Sequence, residues 1–289
     1  MKILFVGAHP DDCDIYGGGF ALLHKKQGNQ VKFISVTNGC CGHQTQDAVS
    51  LALRRKKEAQ AVADRFGLEY EVWDVPDGEC EATMENRKRL VREIRSYQPD
   101  LIITHRLCDY HPDHRNVSRL VSDASYLLIV PNFCPETPAL KSTPVIAYFY
   151  DNFDAPPFKP DVIIPVDEVM EEKFLMVSCH ESQVYEWLPY TIGALENVPQ
   201  DKEERLQWLR LPLYDRAEIR KQLQNKMVYL NGECKFGMQA EKYRKIMAER
   251  MGAEFAEKVR YAECFELCEY GGKADKETLK KLFFMKMDN

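Results

Sequence analysis

The chain predicts an α/β fold, a Rossmann-like three-layer sandwich on a mostly parallel sheet with a helical C-terminal elaboration. Two observations carry this. Strand-like and helix-like patterns alternate through the first half, the signature of a parallel sheet covered by helices. Two short apolar runs, residues 2–8 and 100–105, each give way within a few positions to a cluster of His, Pro and Asp. In open α/β sheets such strand ends face the site at the carboxyl edge.

The first run stops in His9-Pro10-Asp11-Asp12. Pro10 lacks a backbone donor and has a fixed φ, so the strand ends there. Residues 14–27 follow with helical spacing and close at Gly28. Gly17-Gly18-Gly19 lies inside that helix without the Gly-x-Gly-x-x-Gly spacing of a phosphate loop, so it reads as close helix-to-sheet packing. Residues 30–37 form the second strand and 38–42 a loop. Residues 48–66 form a helix stopped by Gly67, a good C′ residue. Residues 68–75 make the third strand, 85–97 a helix and 100–105 the fourth strand. The second cluster, Asp109-Tyr110-His111-Pro112-Asp113-His114, runs into a helix over 113–129. Beyond it, 131–144 is a Pro-rich loop, 145–150 and 161–166 are strands, 168–180 is helical, and 201–260 is charged and helix-prone. The alternating charges after Asp201 read as exposed helix surface. With no clean linker or repeat, the chain is expected to be one domain over 1–289, a core of about 1–195 and an elaboration of about 196–289. A small second domain beginning near 195 is the alternative.

Composition narrows the function. A 289-residue chain can bury a substantial core, and a net charge of -6 offers no basic footprint for nucleic acid. No window approaches the ~20 apolar residues of a membrane span, and residues 1–2 lead straight into a strand without a signal-peptide pattern. A cytoplasmic protein without stable membrane insertion is expected. The 10 cysteines lie mostly within apolar or helical patterns, which fits reduced thiols better than a disulfide framework.

Ligand count supplies the chemistry. A catalytic zinc takes three protein ligands and keeps one position open, and two His with one carboxylate is an established set. His9, Asp12 and His114 supply it. The same set suits ferrous iron, so ligand type does not name the single divalent metal, with zinc placed first. A metal-activated water needs a base during attack, and Asp11, adjacent to a ligand but not needed as one, is the candidate. His111 can reach the pocket from the loop and stabilise an oxyanion or protonate a leaving amine, oriented by Asp113 or Asp109. His105 reads as a strand-end neighbour and His180 as structural.

The two tetrapeptides at strand ends resemble the LmbE-like, PIG-L type metal-dependent N-acetylglucosamine deacetylases. The likeness continues in Thr37-Asn38-Gly39, in Arg55-Lys56-Lys57-Glu58 ahead of Phe66-Gly67, and in Pro76-Asp77-Gly78. It extends to His180-Glu181-Ser182-Gln183 with Lys173 upstream, and to Tyr261-Ala262-Glu263-Cys264-Phe265. The resemblance implies that His9, Asp12 and His114 bind the metal, that Asp11 is the general base, and that His111, supported by Asp113, is the electrostatic or acid partner. Arg55 and Asp77 would face the substrate, a small-molecule amino-sugar conjugate whose acetyl group is removed. Cys13 and Cys40 stand where the family commonly has a Glu and an acidic or small residue. Loops 132–143 and 151–160, with aromatics such as Tyr148, Phe149, Tyr150, Phe153, Tyr185 and Trp187, would select the group attached to the sugar. A homo-oligomer is left open. Two rivals remain: a phosphoester metallohydrolase, which would favour two metals, and a non-catalytic sugar- or nucleotide-binding module.

Overall fold

The computed structural model describes residues 1–226, 231–273 and 275–284. Alternation of strand and helix runs from the first residues: β1 (Lys2–Gly7), α1 (Asp12–Lys26), β2 (Gln30–Thr37), α2 (Ala48–Phe66), β3 (Glu69–Val75), α3 (Met84–Tyr97), β4 (Leu101–Thr104), α4 (Pro112–Leu127), β5 (Val145–Phe149), β6 (Val162–Pro165) and α5 (Met170–Val177). The remainder carries α6 (Leu188–Thr191), α7 (Lys202–Leu209), α8 (Arg216–Gln224), α9 (Gly232–Lys242), α10 (Arg244–Met251), α11 (Ala253–Lys258), β7 (Ala262–Leu267) and α12 (Lys276–Phe283).

These strands form a 7-stranded sheet in the order β3-β2-β1-β4-β5-β7-β6. The first five are parallel, and β7 runs antiparallel to both β5 and β6. Mixed α/β architecture with a mostly parallel sheet is therefore what the chain adopts. The helical reading of the C-terminal part needs one correction: its strand β7 enters the sheet between β5 and β6. From sequence, Tyr261-Ala262-Glu263-Cys264-Phe265 is only a motif; pairing with β5 and β6 makes Ala262–Leu267 a strand.

Strand residues alternate between two cores, as a sheet covered on both faces requires. Ile3, Phe5 and Phe33 pack with α1, α2 and α5 on one face; Leu4, Val6 and Ile34 pack with α3 and α4 on the other. Of the three successive glycines of α1, Gly17 and Gly19 are needed for that packing. A Cβ on Gly17 would lie 2.6 Å from the Phe5 ring, and one on Gly19 would lie 2.9 Å from both Glu263 Oε1 and Val166. Glu263 on β7 accepts from the backbone amides of Gly19 and Phe20 at 2.8 and 2.7 Å. Its partner Lys173 donates to Glu263 Oε1 at 2.6 Å and to the Ile15 carbonyl at 2.8 Å. A buried ion pair is thus laid against the backbone of α1 mid-helix.

The sheet order reverses between β1 and β4, and α/β folds bind ligands at that switch point. Loop 132–143 lies away from it. It precedes β5 at the amino edge, where Arg95 gathers the carbonyls of Leu127, Val130, Cys134 and Thr137. Of the two loops expected to choose the substrate, only 151–160 contributes residues to the cavity at the switch point.

Candidate active site

Val6 of β1 and Thr104 of β4 are register partners, so the segments that follow leave the sheet side by side. After β1 the chain turns, with the His9 carbonyl accepting from the amides of Asp11 and Asp12 at 2.9 and 3.2 Å. Asp12 Oδ2 folds back on the same turn, accepting from Ala8 N at 3.0 Å and His9 N at 2.7 Å. After β4, His111 caps α4: its Nδ1 accepts from Asp113 N at 3.2 Å. Pro112, at the first helical position where no amide partner is needed, fixes the entry. The tetrapeptide His111-Pro112-Asp113-His114 is therefore a helix start that projects His114 inward.

These two segments bring His9 Nδ1, Asp12 Oδ2 and His114 Nε2 together. The three separations are 3.4 Å for His9 to Asp12, 3.5 Å for Asp12 to His114 and 3.3 Å for His9 to His114. A tetrahedral zinc with bonds of about 2.0–2.1 Å has edges of about 3.3–3.4 Å, so the donors already stand at the spacing of one face. Overlapping donor groups adjoin it: His111 with His9 and His114, Asp77 and Asp113 with His9 and His111, and His105 with Asp12 and His114.

The outward nitrogens of the two inner imidazoles meet carboxylates. His9 Nε2 lies 3.2 Å from Asp77 Oδ1 and 3.4 Å from Asp113 Oδ2. His114 Nδ1 lies 3.1 Å from Asp109 Oδ1. Such partners fix tautomer and orientation in metal-binding histidines. Five carboxylates, Asp11, Asp12, Asp77, Asp109 and Asp113, surround the cluster, with Arg55 held on one of them. This excess of buried negative charge, together with the donor spacing, fits a divalent cation.

Electrostatics agree with the geometry. Burial would lower His9, but the Asp113, Asp12 and Asp77 carboxylates outweigh it and hold its pKa well above the usual 6.5. Burial pushes Asp12 up, and His114 and His105 more than reverse it, to well below 3.8. His105, stacked on His114 with ring centroids 3.9 Å apart, is pushed down to about 4 by burial and by the His114 charge. It stays neutral and bonds Asp12 Oδ2 at 3.1 Å. His111 is lowered by burial and by His9 and His114.

Asp11 sits beside the donors without joining them. Arg55 Nη2 donates to Asp11 Oδ1 at 3.0 Å and to the Pro10 carbonyl at 3.2 Å, while Nη1 reaches the Gly39 carbonyl at 3.1 Å. Burial raises the Asp11 carboxyl and Arg55 counters it. Arg55 is 2 % exposed because it falls on the inward stripe Leu51, Arg55, Glu58, Ala59, Val62 of α2. Gly39 is fixed by this contact and by its φ of 65°: a Cβ there would lie 2.3 Å from Arg55 Nη1. All of this opens on a cavity of about 950 Å³ that runs from the donors past Phe153 and Trp187 to the face of α9.

Residues 4–125 match the family profile described as PIG-L, GlcNAc-PI de-N-acetylase. Diacetylchitobiose deacetylase of Thermococcus kodakarensis is 31% identical over 205 residues, covering 65% of this chain and 74% of that protein. The chain belongs to the PIG-L family. Membership is compatible with more than one named activity: 4-oxalmesaconate hydratase of Pseudomonas putida is 27% identical over 209 residues, covering 69% of this chain and 80% of the relative. The solved N,N'-diacetylchitobiose deacetylase of Pyrococcus horikoshii shares the fold, with a TM-score of 0.62 at 23% identity over 93% of this chain and 84% of that one. Among the described residues no helix is long and apolar enough to cross a membrane.

Within this PIG-L chain the structure brings His9, Asp11, Asp12, Arg55, Asp77, His111, Asp113 and His114 together at one centre, in relations the sequence did not give. Arg55 meets Asp11, and Asp77 meets His9. The Asp113 carboxylate ties down loop 76–80 through Gly78 N at 2.7 Å and Cys80 N at 3.3 Å, and its nearest imidazole is His9. Asp109 faces His114. His105, read as a bystander, is the Asp12 partner; its lone position at a strand end carried no signal for this. Cys13 is buried in the core beneath β2, whereas Cys41 lines the cavity and donates its amide to Asp77 Oδ2 at 3.3 Å. Of the aromatics, Phe149, Tyr150, Phe153 and Trp187 line the cavity, while Tyr148 and Tyr185 are buried elsewhere. Lys235 and Lys242 of α9 also line it, which corrects the reading of 201–260 as solvated surface.

Proposed function

We propose that the chain is a metal-dependent hydrolase that removes the N-acetyl group from an N-acetylglucosamine-type conjugate. The observation that carries this is the His9, Asp12, His114 triangle with Asp11 beside it, in a chain 31% identical to a diacetylchitobiose deacetylase. His9, Asp12 and His114 would hold one divalent ion, zinc or ferrous iron. Such an ion supplies Lewis-acid polarisation of a carbonyl and an acidified water. Asp11 takes the proton of the attacking water, and Arg55 keeps its carboxylate ionised and aimed. His111 accepts the Asp113 amide at Nδ1, which leaves the proton of the neutral ring on Nε2 to donate to the developing oxyanion. Asp11 then returns its proton to the departing nitrogen, and acetate and a free amine leave. Asp77 and Asp113 hold His9, and Asp109 holds His114. Because β7 lies between β5 and β6, we take 1–289 as one functional unit.

Acetate release from N-acetylglucosamine conjugates tests the reading with metal-replete protein, chelated protein and Asp11→Asn in parallel. Release is expected only from the first. Near-normal turnover by Asp11→Asn would overturn the base assignment, and no release from any conjugate by metal-loaded protein would overturn the deacetylase reading. The hydratase relative favours a second reading, in which the same centre adds water across the double bond of an unsaturated polycarboxylate. Loss of ultraviolet absorbance of such an acid, without acetate release from any conjugate, would select it.

A further inference from the structure

The cavity is polarised. Its inner end holds the carboxylates around the imidazoles, whereas its outer wall is α9. Lys235, Met238, Gln239 and Lys242 of α9 line the cavity, and their spacing of i, i+3, i+4, i+7 puts them on one helical face. Lys235 is half-buried, and its ammonium is pushed down to about 8, first by burial and then by the Lys173 charge, while feeling Asp11 and Asp12 in the opposite sense. Lys242 stands nearer the mouth, exposed, with Nζ 3.2 Å from Tyr150 Oη and 3.0 Å from Asn152 Oδ1, both neutral groups. Among the described residues lining this end, Asp151 meets Arg106 at 2.7 Å and Asp154 meets Lys226 at 2.8 Å. The two ammonium-bearing positions are seven residues apart, roughly 10 Å along the axis. At about 950 Å³ the cavity is near the top of the ~300–1,000 Å³ range of ligand sites, more room than one sugar ring needs.

We propose that the Lys235–Lys242 face of α9 is a subsite for an acidic group, carboxylate or phosphate, attached to the amino sugar at the end remote from the acetamide. The lysine face draws the acid outward, which leaves the acetamide to the donors at the inner end. Apolar Phe236 and Met238 beside the lysines lower the local dielectric and strengthen the charge contact. The inference rests on the proposed function only in taking an amino-sugar conjugate as the ligand.

The test is binding to the zinc-loaded Asp11→Asn protein, measured by calorimetry. The probes are three N-acetylglucosamine glycosides, with a methyl, a carboxylate-bearing and a phosphodiester-bearing aglycone. Two charge-assisted contacts predict about 10- to 100-fold tighter binding of an acidic glycoside than of the methyl glycoside. Adding Lys242→Gln or Lys235→Gln should cut that ratio about tenfold, and adding Lys242→Arg should retain it. A general loss of structure would weaken all three glycosides alike and leave the ratio intact. Equal affinity for neutral and acidic glycosides, or a ratio that survives both Gln substitutions, overturns the subsite. The better of the two acidic arms identifies the acid. If the preference holds but the unsubstituted enzyme releases no acetate, the subsite stands and the deacetylase reading falls.

Discussion

Replacing Asp77 by Asn separates two roles that the sequence alone could not. Asp77 Oδ1 lies 3.2 Å from His9 Nε2, and Asp113 Oδ2 lies 3.4 Å from the same nitrogen. Carboxylates behind a ligating imidazole are worth about 10–100-fold in metal affinity. Asn keeps an acceptor and loses the charge, and Asp113 remains as a second anion. The expected loss for Asp77→Asn is therefore at the lower end, about tenfold or ~1.4 kcal/mol. Removing both charges should approach ~100-fold, though Asp113→Asn also loosens the Gly78 and Cys80 amides. Competition with a chromophoric zinc chelator gives the dissociation constants, and steady-state kinetics at saturating metal gives kcat and KM. Unchanged zinc affinity with a raised KM would refute the reasoning and place Asp77 on the substrate.

Removing the guanidinium with Arg55→Gln lets burial raise the Asp11 carboxyl further, so the acid limb of the kcat/KM profile should move to higher pH, with activity lost more at pH 6 than at pH 8; an unmoved limb would separate Arg55 from Asp11. In metal-free protein, the raised His9 pKa contributes stability that is fully present below 6.5 and lost as pH rises through the raised value, whereas the depressed Asp12 contributes above 3.8 and loses its effect as pH falls. Melting temperature in chelator should thus fall with rising pH above 6.5, while zinc affinity, which requires His9 to lose its proton, should rise; a flat apo profile would contradict this. Gly19→Ala should destabilise by about 1–3 kcal/mol in urea titration despite the ~1 kcal/mol that Ala normally adds to a helix, because Glu263 and Val166 stand in the way. Gly18→Ala, meeting only the flexible Met176 thioether at 3.0 Å, should be near neutral, and equal costs at the two positions would undercut the argument.

The first half of the fold was legible because local signals and tertiary demands coincide there. Helix α2 begins at the Asp47 cap, which accepts from Val49 and Ser50, and ends at Gly67 with φ 62°, both local devices. Strand β7 was not legible, since its partners lie more than 90 residues away and nothing local distinguishes a strand inside a charged, helix-rich stretch. The ligand-type residues of the site were legible from clustering at two strand ends. Their pairwise relations were not: which carboxylate backs which imidazole depends on the angles at which two loops leave a twisted sheet. Arg55 shows the same limit, being one of four consecutive cations of which only helical phase selects the buried one. Lys235 and Lys242 escaped for the opposite reason, because solvated lysines at helical spacing are common and only the cavity singles these out.

The carboxylate of Glu263 that meets α1 has a bearing on how the protein is made. It joins the helix carrying Asp12 across 244 positions of chain. A growing polypeptide can therefore form the His9 turn and the His111 cap early, yet the amides of Gly19 and Phe20 have no carboxylate until residue 263 has been added. Contacts of that span are closed late and slowly. Until β7 has joined the sheet, α1 would keep an incomplete packing face beside the ligand groups, so full metal loading is expected only after Glu263 has reached α1.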